Sequence, residues 1–128
     1  MQNSAQQWGL TILRVFVGIV FLVHGYQKLF QFGIHGVAGM FGHFGIPVPL
    51  VSAVIVSFAE LVGGILLVTG LATRIAAALN GIDMLVAIFA VHLKNGFTAP
   101  MGFEHPFTLL GACICLVLAG GGALATQF

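Results

Sequence analysis

The sequence predicts an all-α integral membrane protein, a four-helix bundle with a short interfacial helix between its first and second helices. Two observations carry this. Of 128 residues, 59% are hydrophobic and only 5% are charged, whereas a water-soluble domain carries about 25% charged residues. Four apolar segments each approach the roughly 20 residues needed to cross a hydrocarbon core about 30 Å thick. They are long runs without strict alternation, so a β-barrel is excluded. The composition also excludes a soluble fold and a disordered chain. A formal net charge of +1 provides no basic stripe for phosphates, which excludes nucleic acid as a partner. The required partner is the lipid bilayer, and the chain reads as one domain over residues 1–128.

The first span covers about 8–30 and contains LTILRVFVGIVFLV. It lacks the basic start and the small-residue cleavage site of a signal peptide, so it reads as a retained helix. Residues 31–46 follow. Ile34, Val37, Phe41 and Phe44 share one helical face; His35, Gly36, Gly39, Gly42 and His43 share the other. That pattern predicts a short helix lying in the membrane interface, despite glycines that lower its propensity. Pro47 and Pro49 open the second span, about 50–72. TGLATR is then a tight turn, with Gly70 as the expected C-cap and Thr73 as the expected N-cap. The third span covers about 74–93 and the fourth about 106–125, with Pro106 in a first turn that needs no N–H. Cys113 and Cys115, two residues apart, point to nearly opposite sides of that helix and read as packing residues.

Charge inside the membrane is costly, so its few positions are informative. Counting 1.5 Å per residue from the side of the Arg74 turn places Arg14 roughly 9 Å deep, Asp83 roughly 13 Å and Glu60 roughly 16 Å. Asp83 shares its face with Ala76, Asn80 and Ala87; Glu60 with Ser57 and Gly64; Arg14 with Thr11, Gly18 and Gly25. Small residues beside each polar group allow close helix approach. The expectation is a buried network of Arg14, Glu60, Asp83 and Asn80. A second group, His24, Lys28, His92, Glu104 and His105, gathers toward the opposite membrane face. His24 and Lys28 are neighbours at i, i+4. The plainer reading of this group is a rim of polar side chains reaching toward headgroups; as a ligand site it suits a quinone carbonyl first, then a b-type haem between histidines or a divalent metal. No HExxH, CxxC, phosphate loop or nucleophile elbow is present, and no catalytic residue is assigned.

At these residues the chain resembles the DoxX family. LRVFVGIVFLVHGYQKLF is similar to the family's first-helix signature, GIPVP and AELVGGILLVTGLATRIAA to its second helix and turn, and GFEHPFTLL to its approach to the last helix. The resemblance implies a four-helix membrane bundle and matching polar positions at Arg14, His24, Gly25, Lys28, Glu60, Gly64, Arg74 and Glu104. It also implies a small subunit of a quinone-linked membrane redox complex in the bacterial inner membrane. The alternatives are a non-enzymatic scaffold or assembly subunit, held to another membrane protein or to a second copy, and a proton-coupled transporter or channel. Four spans put both termini on one side with Arg14 and the Arg74 turn, against Lys28 and Lys94, partly offset by Glu104, on the other; the balance is close, and the termini are expected in the cytoplasm. The ending GGGALATQF departs from the family's Gly-Pro-Gly.

Overall fold

The computed structural model describes residues 4–98 and 100–126. Every regular element among them is helical: α1 (Ser4–Tyr26), a π-helical turn Gln27–Gln31, α2 (Gly33–His43), α3 (Pro49–Thr69), α4 (Thr73–Ala87), a second π turn Ile88–His92, a 3-10 turn Leu93–Asn95, and α5 (Glu104–Ala119). Three stretches, Ser4–Gln31, Pro49–Thr69 and Thr73–Asn95, are long and apolar enough to cross a membrane; the fourth is shorter. It was expected to run to about 125 but stops at Ala119, because Gly120 turns out of the helix at φ +83°. Its 16 residues rise about 24 Å. The last two residues of GGGALATQF lie outside the described residues.

The outer faces are apolar and exposed, as lipid requires: Ile12, Phe16 and Ile19 on α1, Val54, Phe58 and Val62 on α3, Ile75, Leu79 and Ile82 on α4. The inner faces carry the small residues expected there. A Cβ on Gly18 would lie 2.8 Å from the Val68 nitrogen, and one on Gly25 or Gly64 would overlap the backbone of Leu61 or Leu22. Three close approaches therefore fix the register of α1 against α3. Phe21, Leu67, Leu116 and Cys113 fill the bundle between them, while Cys115 is exposed. The helix expected in residues 31–46 is present as α2. It buries Val37 and Phe41 on Ala53 of α3 and exposes His35, Gly36, Gly39, Gly42 and His43.

Pro49 is the first residue of α3, and Gly70 caps its end in the left-handed region, donating to Leu66 O. The expected N-cap at Thr73 is displaced: Ala72 occupies that position, at φ +50°. Its N–H donates to Thr126 Oγ1, 3.0 Å. The tail after Gly120 folds back onto this end of the bundle, where Thr126 N donates to Gly70 O and Ala123 N to Gln7 O. Both described ends of the chain and the α3–α4 turn thus lie together at one face.

Candidate functional site

The expected Arg14–Glu60–Asp83 network does not form. Arg14 is 2% exposed, and its guanidinium addresses carbonyls. Nη1 donates to Leu67 O at 2.8 Å and Val68 O at 3.0 Å, and Nε to Gly121 O at 3.0 Å. Nη2 donates to Ala123 O at 3.4 Å. The reason is register. With Gly18 on Val68, Leu22 on Gly64 and Gly25 on Leu61, Arg14 stands level with the α3–α4 turn. The last carbonyls of α3 lack helical partners, and the negative end of the helix dipole attracts the cation.

The same register brings Lys28, in the first π turn, level with Glu60. Lys28 Nζ donates to Glu60 Oε1 at 2.7 Å, with side chains 21% and 3% exposed. His24 and Lys28, expected as neighbours on one face, both border the same cavity, and Lys28 takes its ion-pair partner from α3. Asp83 faces Glu60 from α4. Its Oδ2 is buried without a hydrogen-bond partner. Asn80 lies fully buried over Gly63, its amide also without a partner. It belongs to the α3–α4 interface rather than to a network with Arg14.

Members of the two groups expected separately therefore meet in one place, while Arg14, Asn80 and Glu104 stand apart. A cavity of about 410 Å³ is lined by His24, Lys28, His92 and His105 together with Glu60 and Asp83. Glu104 is exposed and contributes nothing to the lining. Met40, Phe41 and Phe44 of the α2 region, Ile55 and Val56 of α3, Met84 of α4, Val91 and Met101 supply apolar walls. The cavity lies in the half of the bundle away from the chain ends. Both π turns border it, through Lys28 and through Val91 and His92. Such turns recur at functional sites, where they re-aim side chains.

The histidines are individually set. His24 and His105 meet edge to face, ring centres 5.4 Å apart at 88°, which leaves no space for a macrocycle between them. His92 Nδ1 lies 2.6 Å from Met101 O. A carbonyl only accepts, so Nδ1 carries a proton. Asn95 donates to the same carbonyl at 3.0 Å, and Lys94 sits 5.2 Å over the Phe44 ring. Among the described residues no three His, Cys, Asp or Glu side chains come together to hold a metal ion.

The sequence pattern did not reveal the wall residues Met40, Phe41, Phe44, Met84 and Met101. One signal was available: three of the four methionines in the chain line this cavity, and methionine adapts its shape to flat, polarisable ligands.

A helical membrane bundle with an amphipathic cavity between its helices defines a small multi-pass membrane protein. The chain belongs to the DoxX family, whose pattern matches residues 9–93. It is 39% identical to "Putative oxidoreductase CatD" of Bacillus subtilis over 96% of this chain and 87% of that protein. It is 38% identical to the "Uncharacterized membrane protein Rv3486" of Mycobacterium tuberculosis, over 71% of this chain and 58% of that one. The "Inner membrane protein YphA" of Escherichia coli is 28% identical, over 91% of this chain and 86% of that protein. No solved structure gives a significant match.

Proposed function

We propose that this chain is a quinone-binding small subunit of a redox assembly in the bacterial inner membrane, with its termini in the cytoplasm. The cavity carries the reading. Its apolar walls suit an aromatic ring arriving from lipid, and Phe41, Phe44, Met40 and Met84 would enclose that ring. Its polar end offers Lys28, His24 and His105 to the ring's oxygens. A bound quinone would supply two-electron carrier chemistry; the chain's part is to orient the ring and place hydrogen-bonding groups at its carbonyls. The relative named as an oxidoreductase and the relative named as an inner membrane protein support the assignment.

The test is extraction of lipid from protein purified in mild detergent. The expected result is a quinone copurifying in stoichiometric amount and lost from a Phe41→Ala/Phe44→Ala variant that still folds. Absence of copurifying quinone, together with no binding of added ubiquinone and menaquinone analogues, overturns the reading. Crosslinking in membranes should recover a redox partner. A monomer that binds quinone without any partner would remove the assembly and keep the ligand.

A further inference from the structure

The polar floor of the cavity has a charge count that does not balance. Lys28 brings one positive charge, while Glu60 and Asp83 bring two carboxyl groups that face each other. Lys28 is already committed to Glu60 Oε1 at 2.7 Å. Asp83 Oδ2 is buried with no hydrogen-bond partner. The other ionisable groups around this position are His24, His92 and His105 on the cavity wall and Cys113 on α5, and neither an imidazole nor a thiol is a permanent cation. Two facing carboxylates in a low-dielectric site do not both ionise against a single cation. One proton makes the trio neutral and gives the orphaned oxygen a role.

Building on the quinone reading, we infer that Asp83 and Glu60 form a one-proton carboxyl pair balanced by Lys28, and that Asp83 donates this proton as a hydrogen bond to a carbonyl oxygen of the bound ligand. In the free protein the hydrogen bond runs from Asp83 to Glu60. With ligand bound it turns to the ligand oxygen, and Glu60 keeps Lys28. No covalent bond changes. The site therefore selects ligands that carry a carbonyl acceptor beside an aromatic ring, and it disfavours ring analogues whose oxygens are blocked as ethers.

Infrared difference spectroscopy reads this directly. The chain contains three Asp and Glu residues, and Glu104 is exposed, so a protonated-carboxyl band at neutral pH has few possible owners. The full-length protein in detergent should show such a band, lowered in D2O and shifted on addition of a short-chain benzoquinone. The band should vanish in Asp83→Asn. It should also vanish in Glu60→Gln, where Lys28 takes Asp83 as its carboxylate. Asp83→Leu, which removes the donor, should weaken benzoquinone binding about tenfold, the scale of a hydrogen bond to a buried polar group. A wild-type protein without the band overturns the proton pair, and this holds even if a variant fails to fold. A band that survives in Asp83→Asn overturns it too. Equal benzoquinone affinity in wild type and Asp83→Leu overturns the donor role. A band that is present in a protein binding no quinone upholds the pair, overturns the donor role, and removes the functional reading instead.

Discussion

Two basic side chains do different work in the bundle, and substitutions separate them. Arg14 satisfies carbonyls at the end of α3 and in the C-terminal tail. Arg14→Leu therefore strands no carboxylate; it removes hydrogen bonds from a charged donor, each worth about 1.5–3 kcal/mol and not additive. The expected loss is about 2–4 kcal/mol, read as a lower melting temperature in detergent and faster proteolysis after Gly120. Arg14→Lys should fall between, since an ammonium lacks the planar fork that reaches both segments. An Arg14→Leu protein melting with the parent would refute this capping role. Lys28 neutralises a carboxylate that is 3% exposed. Lys28→Met should cost about 3–5 kcal/mol, the scale of a broken buried pair. Glu60→Gln should cost less, because Asp83 is close enough to take up Lys28. The double variant Lys28→Met/Glu60→Gln should regain most of the stability lost in Lys28→Met. A double variant no better than Lys28→Met would show that the pair is not what Lys28 contributes.

At the scale of elements, α1 and α3 meet through glycines, and this governs where the polar groups land. A Cβ at Gly25 overlaps the Leu61 backbone, whereas one at Gly39 in α2 meets nothing within 4 Å. Gly25→Ala should therefore cost about 1–3 kcal/mol through overpacking. Gly39→Ala should be neutral or stabilising by up to about 1 kcal/mol, because alanine is the better helix former. Paired melting curves decide it, and equal effects would deny the close approach. The same glycines explain what the sequence could and could not reveal. Hydrophobic length exposed the spans, and i, i+3, i+4 spacing exposed the buried faces of α1, α3 and α4 and the amphipathic α2. Depth counting failed for Arg14, and Lys28 was assigned to the opposite face, because every helix was started from one plane. The Gly25–Leu61 register slides α1 by about six residues, roughly 9 Å, relative to that assumption. Carbonyl acceptors in a glycine-rich tail leave no side-chain pattern, and a π turn has no composition signature, so neither could be read in advance. Glu60, Asp83, His24 and Lys28 were each legible as unusual. That they share one cavity follows from packing alone.

For the whole molecule, the fold puts both described chain ends and the α3–α4 turn at one face and α2 with the Leu93–Asn95 turn at the other. Basic residues near helix ends favour the cytoplasmic side. By sequence the balance is close, but the structure removes Lys28 from it, since the α1–α3 register sets it level with Glu60, midway along α3, while Arg14 stands level with the α3–α4 turn. Arg14 and Arg74 then stand at the face of the termini, against Lys94 at the other. The termini are expected inside, and the cavity half of the bundle toward the outer surface. Single cysteines test this in a Cys115→Ala background, the other native thiol, Cys113, being buried. His43→Cys, at the exposed end of α2, should react with a membrane-impermeant maleimide in intact spheroplasts. Leu71→Cys, exposed in the α3–α4 turn, should react only after lysis. If both react under the same condition, the bundle does not span as described. If the pattern reverses, the bundle stands and its orientation is inverted, which would place the cavity mouth, and any soluble redox partner docking over it, on the cytoplasmic side.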